Sequence, residues 1–373
     1  MIRSTTSSIK FSNRGKQKQL RLIIDEYRNV IKQIIDLIWI ENNIPKLLPK
    51  EVTSQTTTWL SARMVQCAAK QASGIVRGTK QKQKQRKFII DQLKSEGNHH
   101  KALKLQKIYD ETIFSKPNIN YVCPELDSRF IKIDLDNDTS FDGWITFSSI
   151  GNKMKVTIPF KKSKHFNKLL KRGKMKSGIR LSKKQMTFMF DLPEAQKKTT
   201  GNTLGVDIGL NKAISCSNGI QSTQCNHGHD LKSITEKLSR KKKGSKNFKK
   251  TQAHRKNYIN WTINQLKFSS VKELKLENIK NLRKYKKTGR MLGHWTYTAL
   301  YDKLKSKCEE QGVLVLYVSP NYTSQQCSKC GWTDPSNRNG DKFRCTSCEF
   351  EHNADLNAAI NISRKEILNE RHL

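Results

Sequence analysis

Four of the nine cysteines form two Cys-x-x-Cys pairs, Cys327 with Cys330 and Cys345 with Cys348, separated by fourteen residues. Two-residue spacing lets a tight turn aim both thiolates at one ion, and two such turns complete a tetrahedral shell. Four thiolates leave no open position for a substrate, so the expected occupant is one structural Zn2+. The alternative, four buried thiols in an apolar hairpin, suits the polar, turn-rich stretch GWTDPSNRNGDKFR between the pairs poorly. A ribbon of this kind cannot build its own core and folds by binding metal. Cys67, Cys123, Cys216, Cys225 and Cys308 share no spacing and read as core or neutral positions.

Three acids form a second candidate group. Asp207 stands in the apolar run LGVDIGL, Glu277 ends the run VKELKLE, and Asp355 sits in HNADLNAAINI, where Asn357, Ala358 and Ala359 begin a helix. A carboxylate among apolar strand residues is costly unless it lies at the strand's end or holds a cation. Converging from two strand ends and a helix start, the three would supply oxygen ligands to two Mg2+ ions roughly 3.5 to 4 Å apart. One ion would activate an attacking water and the other would stabilise the leaving oxygen. Taken singly, each acid fits a strand-end cap or a surface charge equally well.

The elements that must position these residues follow from hydrophobic period. Apolar residues at Leu20, Ile23, Ile24, Tyr27, Val30, Ile31, Ile34, Ile35 and Ile38 form the stripe of an amphipathic helix. Further helices are expected over 59–76, 81–95 and 100–114. Between Phe130 and Leu192 the period changes to two, in RFIKIDL, GWITFSSI, KVTIPF and KQMTFMFDL, which predicts a small antiparallel sheet or barrel. From Thr203 onward strands alternate with helices. The pattern there is LGVDIGL, a strand at 213–216, a basic helical stretch to Phe268, VKELKLE, a helix near 295–311 and VLVLYV, which indicates an α/β domain.

Charge sets the class of partner. The 373 residues carry 71 Lys plus Arg against 32 Asp plus Glu, a formal charge of +39, so a polyanion is expected. The basic residues are spread over nearly the whole length, whereas a membrane-surface protein would gather them beside one amphipathic helix. No apolar run approaches a membrane span, so no membrane partner is expected, and the chain reads as a soluble cytoplasmic, nucleoid-associated protein. Residues 240–256 hold nine basic residues and no acid, and residues 280–290 hold six more. From these runs Arg240, Lys241, Lys242, Lys243, Lys249, Lys250, Arg255, Lys256, Arg283 and Lys284 are candidate contacts to a nucleic-acid backbone, although such a run also suits a solvated helix face. Phe248, Tyr258, Trp261, Tyr285 and Trp295 lie in or beside the runs, where they would suit base stacking.

In order along the chain, GVDIGL, KLENI, SPNYTSQQCSKCG, CTSC and HNADLNAAINI resemble the RuvC nuclease and zinc ribbon of TnpB proteins. These insertion-sequence proteins are related to the compact type V CRISPR effectors and to Fanzor. The resemblance covers residues 205–362. It implies an RNase H-like nuclease with Asp207, Glu277 and Asp355 as the Mg2+-binding catalytic triad, and a zinc ribbon inserted between the second and third acids. It further implies a wedge β-barrel at 1–12 and 116–198, interrupted by a helical recognition domain at 13–115. The nuclease would occupy 199–320 and 351–373, with the ribbon at 321–350.

The activity so implied is RNA-guided cutting of double-stranded DNA beside a short target-adjacent motif, with a structured guide RNA and target DNA as partners. A nuclear location follows only for a eukaryotic relative. Two other readings remain from the residues themselves: a nucleic-acid-binding regulator without cleavage, and a transposition-associated strand-transfer protein.

Overall fold

The computed structural model describes residues 1–41, 43–135, 138–279, 293–294 and 296–368. The chain divides into two units, Met1–Pro193 and Glu194–Leu373.

The first unit opens with β1 (Ile2–Ser8) and the helix α1 (Arg14–Ile38), whose Asn13 cap accepts from the Lys16 amide at 2.8 Å. The short α2 (Lys50–Thr53), the long α3 (Ala62–Ser95) and α4 (His99–Thr112) follow. The α1 stripe is buried as the period requires, with Leu20, Ile23, Ile24, Tyr27, Val30, Ile31 and Ile34 at 0% exposure. Each such side chain contributes roughly 1.5 to 3 kcal/mol by leaving water. One expectation is corrected here: the separate helices at 59–76 and 81–95 are the single helix α3. No proline interrupts the joining residues, and Gly78 faces open space, so nothing stops the hydrogen-bond ladder.

The sheets of this unit also differ from the expected barrel. They are β2 (Glu125–Leu126), β3 (Ile131–Asp134), β4 (Gly143–Phe147), β5 (Val156–Phe160), β6 (Lys174–Leu181) and β7 (Gln185–Asp191). With β1 they make two open sheets, in the orders β1-β7-β6-β2 and β3-β4-β5, rather than one closed surface. Closure needs an edge long enough to pair throughout its length, and β2 offers two residues and β3 four. The sheets are joined instead by aromatic packing of Phe160 on Phe188 at 4.9 Å and of Phe166 on Phe190 at 5.1 Å. Phe166 belongs to α5 (Lys164–Arg172), a helix capped by Ser163 that the sequence reading did not anticipate. Because β1 pairs with β7 along its whole length, α1 to α4 are inserted in sequence between two neighbouring strands of one sheet.

The second unit is built on β8 (Asn202–Asp207), β9 (Ser215–Cys216), β10 (Val271–Glu277) and β11 (Leu314–Val318), in the order β11-β10-β8-β9. The β8–β10 and β10–β11 pairs are parallel. Helices α6 (Leu231–Ser239), α7 (Lys246–Gln265) and α8 (Tyr297–Glu310) connect them. The expected single basic stretch is thus two helices, parted where Gly244 takes a φ of +85°.

A three-stranded ribbon of β12 (Arg338–Asn339), β13 (Lys342–Arg344) and β14 (Glu351–Asn353) runs directly into the last helix, α9 (Ala354–Arg364). Gly205 in the middle of β8 lets that helix lie against the strand, since a Cβ there would meet the Ala359 carbonyl oxygen at 2.2 Å. Among the described residues no helix is long and apolar enough to cross a membrane.

Candidate active site and metal centre

Asp207 and Glu277 are the last residues of adjacent parallel strands, and Val206 lies opposite Leu276 in the register, so the two acids leave the sheet side by side. Asp355 arrives from the first turn of α9, where the Asn353 side chain caps the amides of Asp355 and Leu356 at 3.2 and 3.1 Å. The structure therefore brings together all three acids singled out in the sequence. Burial, then the charges of Glu277 and Asp355, push the Asp207 carboxyl up to about 7. Burial also raises Glu277, against the opposing influence of Thr323, Lys365 and Arg338. A buried carboxylate raised by two acidic neighbours is costly when ionised alone, and a cation would relieve that cost.

Two polar partners completing the site carried no signal in the sequence. Arg338, on the ribbon strand β12, donates from Nη2 to Asp355 Oδ1 at 2.8 Å. Thr323, in the segment before the first cysteine pair, donates from Oγ1 to Glu277 Oε1. Both are far in sequence from the acid they touch, and only the tertiary fold pairs them. Among the described residues the cysteine quartet is the group of candidate metal ligands whose atoms lie within 4.8 Å of one another.

The Cys327–Cys348 and Cys330–Cys345 sulfur pairs are 3.7 and 3.5 Å apart. A tetrahedral ion with Zn–S bonds of about 2.3 Å places its sulfurs about 3.8 Å apart, so the quartet fits such an ion. Backbone amides of Lys329 and Ser347 point at Cys327 Sγ and Cys345 Sγ, each at 3.4 Å, the turn geometry that favours thiolates.

Of the basic candidates, Arg240, Lys242, Lys243, Lys249, Lys250 and Lys256 are exposed on the α6–α7 turn and on α7, and Lys241 is half-buried. Arg255 is turned inward and donates to the His294 carbonyl. Arg283 and Lys284 lie outside the described residues, as do Tyr285 and Trp295. Two aromatic expectations are corrected: Phe248 and Tyr258 are 5% and 3% exposed and belong to the core, with Tyr258 Oη bonded to the Thr223 carbonyl at 2.7 Å. Their spacing along α7 sets them on its inner face, away from any base.

Residues 297–362, which contain the cysteine quartet, Arg338 and Asp355, match the family model described as Cas12f1-like, TNB domain. Over this region the chain is similar to TnpB and Cas12f proteins. It is 39% identical over 118 residues to the CRISPR-associated endodeoxyribonuclease Cas12f1 of Sulfoacidibacillus thermotolerans, covering 31% of this chain and 27% of that protein. It is 30% identical over 196 residues to the putative RNA-guided DNA endonuclease InsQ of Escherichia coli (strain K12), covering 44% of this chain and 48% of that protein. The matches thus span less than half the length of these curated relatives. In fold, the chain is similar to a solved structure of the mini-RNA-guided endonuclease CRISPR-Cas_phi3, with a TM-score of 0.52 at 12% identity over 98% of this chain and 92% of that one.

The raised Asp207 carboxyl gives a test of the site that needs no substrate. A carboxyl at about 7 in the fold and near 3.8 in the unfolded chain stabilises the fold fully below the lower value. That contribution drains away as pH rises and is gone above the upper value. In metal-free protein, Asp207→Asn is therefore expected to raise stability by roughly 1 to 3 kcal/mol more at pH 8 than at pH 5, since pH 5 lies inside the window over which the contribution drains. Urea unfolding at the two pH values measures this, and an equal effect at both would refute the buried-charge account.

Proposed function

We propose that this chain is a member of the TnpB and Cas12f family and an RNA-guided, metal-dependent DNA endonuclease with one RuvC-like site made by Asp207, Glu277 and Asp355. The observation that carries the reading is the convergence of the three acids from the ends of β8 and β10 and the start of α9, with Asp207 raised by burial and then by its two neighbours. Oxygen donors alone suit Mg2+, and two ions are proposed. When bound, they supply polarisation of the scissile phosphate and a water of lowered pKa.

Asp207 and Glu277 would hold the cations from the strand side, and Asp355 from the helix side. Arg338, beside Asp355, adds positive charge where the phosphate must enter. Attack of water on phosphorus leaves a 5′-phosphate and a 3′-hydroxyl. Cys327, Cys330, Cys345 and Cys348 would hold one structural Zn2+.

The remaining assignments belong to the same proposal. Residues 1–12 and 116–198 form the wedge, 13–115 the recognition domain, 199–320 and 351–373 the RNase H-like nuclease, and 321–350 the zinc ribbon. A guide RNA would pair with one DNA strand while the protein grips the backbone, leaving sequence choice to base pairing. The exposed Arg240, Lys242, Lys243, Lys249, Lys250 and Lys256 suit backbone contact.

The deciding experiment sequences the RNA that co-purifies when the protein is expressed with the DNA flanking its gene. A discrete species with a constant structured part and a variable end is expected, and DNA matched to that end should be cut in Mg2+ and spared in EDTA. Random cellular RNA would overturn guidance, and binding without cutting would favour a regulator. Joined ends would favour strand transfer.

A further inference from the structure

The segment SPNYTSQQC, between β11 and the first cysteine pair, is spent on hydrogen bonds to the site rather than on a core of its own. Thr323 is 3% exposed, and its hydroxyl lies against both Glu277 Oε1 and the Pro320 carbonyl, the latter at 3.1 Å. A hydroxyl has one proton, and the carboxylate, charged and closer, is the stronger acceptor. One carboxylate oxygen of Glu277 is thereby oriented, and the other is left for a ligand.

The backbone that carries Thr323 is itself fixed. Tyr322 before it takes a φ of +63°, a conformation that a bulky residue keeps only where its surroundings enforce it. The backbone that follows it is held by asparagines of α9. Asn361 Nδ2 donates to the Thr323 carbonyl at 3.0 Å and to the Gln326 carbonyl at 2.6 Å. Asn357 Nδ2 donates to the same Gln326 carbonyl at 2.8 Å, and its Oδ1 accepts from the Ser328 amide at 2.9 Å. Both are buried, at 7% and 0% exposure, and α9 also carries Asp355.

We propose that Thr323 is a positioning residue for Glu277, and that Asn357 and Asn361 tie it to the helix bearing Asp355, so that one hydrogen-bonded unit sets two cation-binding carboxylates at once. This rests on the reading of Asp207, Glu277 and Asp355 as cation ligands. The hydroxyl touches neither substrate nor reacting atoms; its effect passes through the orientation of Glu277.

The test compares Thr323→Val, which keeps the shape and loses the hydroxyl, with Thr323→Ser, which keeps it, in the full chain with its co-purified RNA. Mn2+ binding is measured by electron paramagnetic resonance, and the Mg2+ dependence of cutting in parallel. Thr323→Val is expected to weaken Mn2+ binding about tenfold and to shift the half-saturating Mg2+ by a similar factor, the size usual for partners that orient metal ligands. Thr323→Ser should restore both to within about twofold, with zinc content and melting temperature unchanged in either variant.

Equal Mn2+ affinity in wild type and Thr323→Val would overturn the proposal, as would a loss of affinity that Thr323→Ser fails to restore. If Thr323→Val does not fold, Thr323→Ala replaces it under the same criteria. Wild-type protein that binds Mn2+, loses it in Asp207→Asn and cuts no guide-matched DNA would defeat the nuclease reading while leaving the role of Thr323 to be judged on binding alone. No Mn2+ binding in wild type would defeat both.

Discussion

Asp207→Ala is expected to lower cutting of guide-matched DNA by at least roughly a thousandfold, while RNA retention and DNA binding stay within about twofold of wild type. The size follows from its place. The charges of Glu277 and Asp355 both act on the buried Asp207 carboxyl, after burial itself, so its removal takes from the proposed cation-binding set the donor that both neighbours face. Binding should survive because the candidate backbone contacts belong to the α6–α7 turn and α7, elements that carry none of the three acids. Residues that act as one set are not additive, so Asp207→Ala with Glu277→Gln should cut no more slowly than the worse single variant. Cleavage of end-labelled matched DNA in Mg2+, beside filter binding of the same DNA, measures both quantities. Undiminished cutting by a clean Asp207→Ala preparation would remove the site from these three acids.

The acids were legible in the sequence as a set, through the order of the motifs that carry them, since each taken alone fits a strand-end cap or a surface charge. Their register was not, since nothing local states that Val206 stands opposite Leu276. Thr323 and Arg338 were silent for a related reason: a threonine in a loop and an arginine in a basic chain are ordinary until the fold sets them against Glu277 and Asp355. The cysteine quartet was the opposite case, because two turn-sized spacings specify the geometry locally.

Charge misled where it was densest. Along α7 the basic residues drew the neighbouring aromatics into a stacking interpretation, although the spacing of Phe248, Tyr258 and Ile259 already places them on the buried face. In the first unit, period-two runs disclosed the strands but not whether their edges meet. Closure depends on the paired length of β2 and β3, which alternation does not encode.

Stripping the metal from the cysteine quartet is expected to lower cutting by roughly a hundredfold or more, although no cysteine belongs to the catalytic set. Among the described residues the ribbon's buried apolar cluster is Cys327, Phe343, Cys345 and Ala354, with Cys348 and Phe350 packed beside it, so half of that cluster is proposed metal ligands. Without an ion the four thiols repel as thiolates or leave a loose hairpin, and the hydrogen bonds that cross from it to the site are released together. These include Arg338 to Asp355, and the Ala354 amide to the Asp341 carbonyl at 2.9 Å at the very start of α9. The Gln326 carbonyl, one residue before Cys327, is the acceptor shared by Asn357 and Asn361, so the Thr323 segment loosens as well. Cys330→Ser and Cys345→Ser should each lower the metal content from one zinc per chain, expose residues 321–350 to protease and depress cutting, with RNA still bound. Measured by elemental analysis, limited proteolysis and cleavage of matched DNA, a zinc-free protein that cuts at the wild-type rate would show that the ribbon is a passenger, and that β14 and α9 hold Asp355 without it.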